Sequence, residues 1–232
     1  MGMKVRRCLT VFAVVGCLLA AAYVSRTQLL TCAALPLVST DNGHLRKADA
    51  VMVLGGGSDT RSFEAARVFR DELAPVLLLA NQEPGRAAEL GLDRSGTEIT
   101  LDVLTKIVGI PPEKIVLIGT RGEARWSDQA GKGKLLEEWR ALGFVTSTFE
   151  EAKTLQRWCE AHGAGSVIVV TNTLYSSRVR RIFRKVLGDS IQIQVAATDS
   201  LKFNDEDWWR TEEGLIAVNN EWVKTVYYWV KY

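Results

Sequence analysis

The stretch Ala48–Arg61, with the sequence ADAVMVLGGGSDTR, decides the fold that we predict for this chain. A continuous apolar run ends at three glycines, and a polar turn and an arginine follow. Buried strands of parallel sheets read as such apolar runs, and glycines let backbone N–H groups approach an anion at the start of the next helix. The loop matches neither the dinucleotide-binding fingerprint nor the Walker loop. By itself it therefore indicates either a tight turn or a phosphate-binding loop.

Apolar runs and helical patterns alternate along the rest of the chain. The runs that predict buried strands are Ala50–Leu54, Val76–Ala80, Ile115–Ile118, Val167–Thr171 and Ile191–Val195. The segments that predict helices are Arg61–Glu72, Glu98–Val108, Glu150–His162 and Tyr175–Leu187. Because buried strands that alternate with helices form parallel sheets covered on both faces, we predict an α/β fold, a Rossmann-like three-layer αβα sandwich with a mostly parallel sheet.

The segment Gly119–Val145 interrupts this alternation and predicts a charged loop with one short helix, at about residues 132–142. Its GKGK sequence, Gly131–Lys134, superficially resembles a P-loop. It lacks the glycine five residues before Gly133, and Leu135 stands where a P-loop needs Ser or Thr to hold magnesium. We therefore interpret it as an ordinary loop.

The amino terminus predicts a membrane segment. Lys4, Arg6 and Arg7 precede Leu9–Val24, an apolar run of 16 residues. This length lies between the core of a signal peptide and a full membrane span. Three interpretations follow: a cleaved signal peptide, a lipoprotein signal and an uncleaved anchor helix.

The apolar run favours the anchor because it continues through both candidate cleavage sites, Ala20–Ala22 for a signal peptidase and Val14–Cys17 for a lipoprotein. We predict an anchor at residues 1–27, a linker at 28–47 and an α/β domain at 48–232. The basic flank would hold the amino terminus in the cytoplasm. The predicted localisation is the inner (plasma) membrane, single-pass, with the carboxyl-terminal domain outside the cytoplasm.

The distribution of charge excludes one class of partner. The chain has 29 basic and 27 acidic residues, and the first forty residues contain four of the basic and none of the acidic ones. The remainder has 25 basic and 27 acidic residues, a net charge of −2. A nearly neutral domain lacks the basic surface that binds nucleic acid, so no nucleic-acid partner is predicted.

Cysteine and histidine offer little for chemistry. No CxxC spacing occurs, so no metal site is predicted, and a disulfide between Cys32 and Cys159 stays open. The two histidines are His44, in the linker, and His162, at a predicted helix end. Neither position suits acid–base work, which argues against a triad hydrolase.

Four loops should gather at the carboxyl edge of the sheet, where ligands of parallel sheets bind. They contain Gly55–Arg61, Asn81–Gln82 with Ser95–Glu98, Thr146–Ala152, and Thr171–Arg178. The residues that we predict to bind an anion are Gly55, Gly56, Gly57, Arg61, Thr148, Thr171, Asn172 and Arg178. Glu98 and Glu150 are the candidate catalytic residues, to hold a hydroxyl group or a divalent ion or to move a proton. Glu151 and Tyr175 are further acid–base candidates.

Helix capping is the competing interpretation of both glutamates. Ser or Thr three residues before Glu is the signature of a capping box, and it occurs at Ser95–Glu98, Ser147–Glu150 and Thr148–Glu151. These residues either start helices or carry chemistry, and the sequence leaves both open.

The four loops in this order resemble the YdcF/SanA/ElyC-like family of bacterial proteins, a domain of unknown function. The matching positions are Asp49, Leu54–Gly57, Arg61, Ala65–Ala66, Ala74–Pro75, Ser95–Glu98, Gly109–Pro111, Thr148–Ala152, Val170–Thr171, Arg178 and Glu221. The chain departs from the family pattern at Ala80–Gln82, where Ser-Gly-Gly is usual, at Glu151, where Asn is usual, and at Tyr175, where His is usual. It is similar to a divergent member that keeps the anion-binding residues.

The resemblance implies a Rossmann-like domain, often behind an amino-terminal anchor. Family members are implicated in envelope integrity, antibiotic exclusion and the lipid-carrier steps of peptidoglycan and surface-polysaccharide synthesis, and one soluble member binds S-adenosylmethionine. No shared reaction or cofactor follows, so the cofactor stays unknown and enzymatic activity stays open.

At the carboxyl end, apolar residues recur at helical spacing: Leu215, Val218, Trp222, Val226 and Trp229. A core-facing stripe is the simpler interpretation. The additional aromatic residues Trp208, Trp209, Tyr227, Tyr228 and Tyr232 also fit contact with a membrane interface.

We therefore predict a membrane-anchored bacterial envelope protein that binds a phosphate-bearing ligand, either lipid-linked or a sugar phosphate. Two alternatives stay open. One is a nucleotide- or S-adenosylmethionine-binding enzyme, a transferase or phosphoryl hydrolase. The other is a non-catalytic module that recruits envelope partners.

Overall fold

A computed structural model describes residues 2–126 and 138–232 and contains a six-stranded sheet. The strands are β1 (Ala50–Val53), β2 (Leu77–Ala80), β3 (Ile115–Ile118), β4 (Glu123–Arg125), β5 (Ser166–Asn172) and β6 (Gln192–Thr198). Their order is β4-β3-β2-β1-β5-β6, and all neighbours are parallel except β3 and β4. In the centre, Val53 of β1 is in register with Leu79 of β2 and Val170 of β5.

Nine helices are described in these residues. They are α1 (Gly2–Val24), α2 (Arg26–Ala34), α3 (Arg61–Arg70), α4 (Arg86–Glu89), α5 (Gly96–Asp102), α6 (138–142), α7 (Thr148–His162), α8 (Ser176–Leu187) and α9 (Glu212–Lys231). Short 3-10 turns occur at Leu35–Leu37, Pro112–Lys114, Thr173–Tyr175, Gly188–Ser190 and Trp208–Arg210, and α5 continues as a π-helix over Val103–Ile107. The mixed α/β class with a mostly parallel sheet is confirmed, and it is consistent with a Rossmann-like fold.

Helices cover both faces of the sheet because alternate residues of each central strand point to opposite sides. Ala50 and Met52 belong to a core that includes Leu155 of α7 and Phe183 of α8. Val51 and Val53 belong to a second core with residues of α3 and α5. Each of the five predicted strands begins within one residue of the observed strand.

The chain changes direction between β1 and β5. From β1 it proceeds through β2 to β3 on one side, and it then returns to place β5 and β6 on the other side of β1. The loops after β1 and β5 consequently lead away from each other, which opens a crevice at the carboxyl ends of these two strands. Ligands of doubly wound sheets bind at this kind of position.

Two segments differ from the sequence-based expectation. Within Gly119–Val145, predicted as a charged loop with one helix, Glu123–Arg125 forms an antiparallel edge strand on β3. The Gly119 N–H donates to the Gly122 carbonyl (2.8 Å), and this turn brings the chain back. Of the predicted helix, residues 138–142 are helical, while Gly131–Lys134 lies outside the described residues.

The segment predicted as a linker, residues 28–47, is helical in its first part, where α2 and the turn Leu35–Leu37 form. Ala34 and Leu37 are buried against Trp208 and Val218, and this packing explains why the segment is helical. The disulfide is also not formed, because Cys32 is an exposed free thiol and Cys159 a buried one.

The amino-terminal segment forms two helices, α1 and α2, with a bend between them. Among the described residues, no single helix is both long and apolar enough to cross a bilayer. Val11–Val24 and Arg26–Leu37 pass that test only as a pair, bent by 65°. Most large apolar side chains of α1 from Val11 onward are exposed.

Candidate functional site

A cavity of about 990 Å³ occupies the crevice at the carboxyl ends of β1 and β5. Its lining comes from the loops after β1, β2 and β5, from the start of α7, from the loop after β6 and from α9. Of the predicted ligand-binding residues, all eight line it: Gly55, Gly56, Gly57, Arg61, Thr148, Thr171, Asn172 and Arg178. Topology thus brings together residues that are more than 100 positions apart in sequence.

The glycine loop makes hydrogen bonds to protein side chains. The Gly55 N–H donates to Oε1 of Glu151 (2.7 Å), and the Gly56 N–H donates to Oε1 of Gln82 (3.0 Å). Gln82 is in turn held by its own N–H, which donates to Oγ1 of Thr97 (3.1 Å). Two of the three glycine amides are therefore already satisfied, and a carboxylate occupies the place where the sequence predicts a bound anion.

The glycines are needed because other side chains approach the loop closely. A Cβ on Gly55 would lie 2.7 Å from Cδ of Gln82. Gly57 has φ +69°, and a Cβ there would lie 3.0 Å from Oδ1 of Asn172 and 3.2 Å from Nε of Arg61. Glycine is the residue that accepts both the left-handed backbone and the close contacts.

Arg61 begins α3 directly behind this loop and is buried. Its Nε donates to Oδ1 of Asn172 (2.8 Å), and its Nη1 donates to the carbonyls of Leu54 (3.3 Å) and Gly55. Nδ2 of Asn172 donates to Oγ1 of Thr60 (3.1 Å) and to the carbonyl of Thr198 (3.3 Å), so the amide of Asn172 is oriented by three neighbours. Burial lowers the pKa of the Arg61 guanidinium to about 10, and the nearby carboxyl of Glu151 counteracts this effect.

Arg178, in the first turn of α8, forms a buried ion pair with Glu221 of α9. Its Nε and Nη2 donate to the two carboxylate oxygens, at 2.6 and 3.0 Å, and its Nη1 donates to Oγ1 of Thr148 (2.7 Å). Burial raises the pKa of Glu221, and the hydrogen bond and charge of Arg178 act in the opposite direction. This planar, two-pronged geometry fixes the guanidinium at the cavity.

Tyr175 lies between the two arginines. The guanidinium carbons of Arg61 and Arg178 are 5.8 and 5.9 Å from the centre of its ring, and that of Arg178 is also 5.7 Å from the ring of Tyr228. Such distances are typical of cation–π contacts. Burial raises the pKa of the Tyr175 phenol, while Arg61 lowers it. Two buried cations from different helices thus converge on one aromatic ring.

Glu151 is the carboxylate that faces this group. It is buried in the first turn of α7, and desolvation raises its pKa to about 7, against the opposing influence of the Gly55 N–H, Arg61 and Arg178. It can therefore hold or release a proton near neutral pH. A signal was present in the sequence: Glu151 precedes Leu155 and Trp158 by four and seven residues, which places it on the apolar face of the helix.

Glu98 and Glu150, the two candidate catalytic residues, do not line the cavity. Glu98 completes a capping box, in which its Oε2 accepts from the Ser95 N–H (2.8 Å) and its own N–H donates to Oγ of Ser95 (3.2 Å). Oε2 of Glu150 accepts from N and Oγ1 of Thr146, at 2.7 and 2.6 Å, and these bonds lower the pKa of Glu150. Glu98 therefore caps α5, and Glu150 holds Thr146, the residue that precedes the amino-terminal cap of α7.

We call the lining residues Gly55–Gly57, Arg61, Glu151, Tyr175 and Arg178 the polar side of the cavity, and a group of apolar lining residues its apolar side. The residues of the apolar side are Leu201 and Phe203 in the loop after β6 and Ile216, Ala217 and Tyr227 on α9. Sequence reasoning did not assign Leu201 or Phe203 to the site, since neither lies in a recognisable motif. The cavity lining therefore combines charged residues with apolar residues that come from other elements.

Further ionisable groups surround the apolar side. Lys202, Lys224, Glu213 and Asp205 also line the cavity. Burial and the neighbouring Asp199 raise the pKa of Asp205 to about 6, and its Oδ2 has no hydrogen-bond partner among the described residues. Such carboxylates can accept hydrogen bonds from ligand hydroxyl groups.

A metal centre is not indicated by the part of the chain that the structure describes, which contains no cluster of three or more His, Cys, Asp or Glu residues able to hold a metal ion. Comparison of the chain with protein-family models, with curated proteins and with solved structures found no match. The resemblance to the YdcF/SanA/ElyC-like family consequently stays a prediction from the motifs.

Proposed function

We propose that the cavity binds a ligand with a phosphate group at the polar side and a less polar part at the apolar side. The observation that carries this proposal is the pair of buried guanidinium groups of Arg61 and Arg178, each less than 6 Å from the ring of Tyr175. Arginine is well suited to phosphate because its planar group donates in a fixed fork. The position at the switch point of the sheet supports the same assignment.

The internal hydrogen bonds of the glycine loop affect which groups an anion would contact first. Because the Gly55 and Gly56 amides donate to Glu151 and Gln82, the ligand would first contact the arginines rather than the loop. Protonation of Glu151 removes a competing negative charge from the same place. We therefore expect a phosphate group to bind more tightly below pH 7 than above it.

The amino-terminal helix bears on where the protein is located. We propose that α1 anchors the protein in the inner membrane of a bacterium, with the α/β domain outside the cytoplasm. The basic residues Lys4, Arg6 and Arg7, the apolar exposed surface of α1 and the bent pair of helices support it. A ligand in the envelope would then be a lipid-linked phosphate or a sugar phosphate. A reporter fused after Tyr232 tests the side of the membrane.

Calorimetric titration of the full chain in detergent tests the ligand. Separate titrations would use inorganic phosphate, polyprenyl phosphate, a nucleoside monophosphate and S-adenosylmethionine. We expect polyprenyl phosphate to bind most tightly. Arg61→Lys and Arg178→Lys should each weaken that binding about tenfold, because the guanidinium N–H groups that are not already paired within the protein are lost. Arg67→Lys is the matched control, since Arg67 is an exposed arginine on the same helix as Arg61.

The titration also defines failure. Equal binding by the Arg67→Lys and Arg178→Lys variants, or the absence of binding by all three phosphate compounds, would contradict the proposal. Tight binding of S-adenosylmethionine alone would replace it with a cofactor-binding site.

A second candidate function, phosphate-ester hydrolysis, is favoured by one observation, the pKa of about 7 of the buried Glu151. Water would attack phosphorus while the P–O bond to the leaving group breaks, and Glu151 would give its proton to the leaving oxygen. The attacking water would leave its extra proton on the released phosphate or the solvent, and Glu151 would take up a proton from solvent to complete the cycle. The test is release of inorganic phosphate from the ligand that binds. Glu151→Gln should abolish release, and Glu150→Gln, which changes the neighbouring carboxylate outside the cavity lining, should retain it.

A further inference from the structure

The carboxyl-terminal helix has a broad apolar face that the rest of the chain leaves exposed. Val223, Trp229 and Val230 are 69%, 66% and 76% exposed, and Val226 and Tyr227 are about half exposed. The expectation of a core-facing stripe is therefore wrong for Leu215, Trp222, Val226 and Trp229, and of that stripe only Val218 is buried.

The arrangement of these residues around α9 is amphipathic. At about 100° per residue, the exposed apolar side chains fall on one arc that covers somewhat less than half of the helix. The buried Glu221 lies on the opposite side, towards the domain, and the buried Val218 lies just beyond the edge of the arc, next to Trp229. Lys224 and Lys231 lie at one edge of the apolar arc, between it and the buried side.

From this geometry we propose that the second half of α9, Trp222–Tyr232, lies in the interface of a lipid bilayer beside α1. The exposed aromatic residues of this segment are Trp222, Tyr227 and Trp229, and its three valines are also exposed. It contains two lysines and no acidic residue. Tryptophan and tyrosine prefer the level of the lipid headgroups, and lysines at the edge of an apolar face pair with anionic lipids. The composition fits a bilayer better than a protein partner, which would need shape-matched pockets.

The contacts of α2 make this surface continuous with the proposed anchor. Nε1 of Trp222 donates to the carbonyl of Ala33 (3.0 Å), and Nε1 of Trp208 donates to the carbonyl of Leu30 (3.2 Å). The helix that follows α1 is thereby attached to α9. The inference rests on the proposed anchoring by α1, but it does not depend on the identity of the ligand.

One consequence concerns the cavity. Tyr227 belongs both to the exposed face of α9 and to the cavity lining, and Ile216 does so as well. The apolar side of the cavity would then open at the bilayer surface, and a ligand with an apolar tail could enter without leaving the membrane.

The test is quenching of tryptophan fluorescence by brominated lipids. The full chain is reconstituted into vesicles of equal parts phosphatidylcholine and phosphatidylglycerol, with bromine on the acyl carbons nearest the headgroup. Trp229→Phe should remove about half of the quenched emission, because Trp222 and Trp229 are the tryptophans on this face. Trp158→Phe is the control, since Trp158 is buried on α7 and its Nε1 has no hydrogen-bond partner in the described residues.

A second variant separates this inference from the ligand proposal. Val223→Glu combined with Val226→Glu places two charges on the exposed face without touching the cavity lining. We expect it to lose most of the quenching while ligand binding in detergent is unchanged. Unaltered quenching in Trp229→Phe, an equal loss in Trp158→Phe, or failure of the chain to associate with the vesicles would each overturn the inference.

Discussion

The two sides of the cavity differ in how their side chains are partnered. On the polar side, Arg61, Glu151 and Arg178 are buried, and each donates to or accepts from named groups of the protein. On the side of α9, the residues that continue from the cavity onto the surface, such as Val223 and Val226, are exposed. Buried charges are costly to leave unpaired, whereas exposed apolar groups affect folding little. Substitutions on the first side should therefore change stability, and those on the second should change association.

The largest expected effect is on the buried ion pair. Arg178→Ala leaves the Glu221 carboxylate buried without its partner, and we expect it to lower the free energy of unfolding by about 3–5 kcal/mol. The double variant Arg178→Met with Glu221→Leu removes both charges and should recover most of that loss. Chemical denaturation of the full chain in detergent measures both. If the single and double variants are equally unstable, the pair contributes through packing alone.

The next largest effect concerns pH and Glu151. The unfolded chain releases this proton near pH 4.5, whereas the folded protein keeps it until about pH 7. The folded state therefore binds more protons in this window, and the stability that depends on Glu151 falls as pH rises from 4.5 to 7, by about 3 kcal/mol. Glu151→Gln keeps an acceptor for the Gly55 N–H and should remove this loss, so that it is more stable than the wild type at pH 8.

Glu150, in the same turn of α7, should change the free energy of unfolding with pH in the opposite direction. Because its hydrogen bonds to Thr146 lower its pKa in the folded state, its contribution is present above its ordinary pKa and is lost as pH falls. Glu150→Gln should therefore be less stable than the wild type at neutral pH. Equal pH profiles for the Glu150 and Glu151 variants would contradict the assignment of the buried carboxylate.

A smaller effect is expected at the glycine loop. Gly57→Ala should cost about 1–2 kcal/mol from its left-handed backbone, with an additional loss from displacement of Asn172 and Arg61. Gly163→Ala isolates the backbone contribution, since Gly163 has φ +64° and nothing within 4 Å of a Cβ. Thermal unfolding compares the two. A cost at Gly57 no larger than at Gly163 would show that the loop adjusts to the added methyl group.

The smallest effect on stability is expected on α9. Val223→Glu and Val226→Glu should each change the free energy of unfolding by no more than about 0.5 kcal/mol, because both side chains are exposed and away from the ion pair. Denaturation in detergent checks this expectation. A loss comparable to that of Arg178→Ala would mean that the face is packed against the protein in solution, and it would remove the contrast between the two sides.

Local pattern was enough to predict the central strands and the helices that follow them. The run Ala50–Leu54 and the glycines after it predict both a strand and its loop, because burial on two faces demands continuous apolar residues. The edge strand Glu123–Arg125 could not be predicted in this way. It is polar and short, and it is a strand because it pairs with β3.

The sequence predicted which residues line the candidate site better than it predicted what each residue does there. Loop order and parallel topology placed Arg61, Asn172 and Arg178 at one edge. Adjacent glutamates were harder to separate, because Glu150 and Glu151 differ by one position on a helix. That single step of about 100° leaves the Glu150 carboxylate hydrogen-bonded to Thr146 outside the cavity lining and turns Glu151 into the cavity.

By itself, then, the sequence determined the α/β class, the central strands of the parallel sheet and the set of loops that meet at its carboxyl edge, since these depend on local periodicity and chain order. Tertiary structure alone decided which charges are paired. Glu221 reaches Arg178 across 43 positions, and Glu151 reaches the Gly55 amide across 96. Protonation and partner choice depend on burial and on distances between elements, and these become defined only once the sheet, α7, α8 and α9 are packed together.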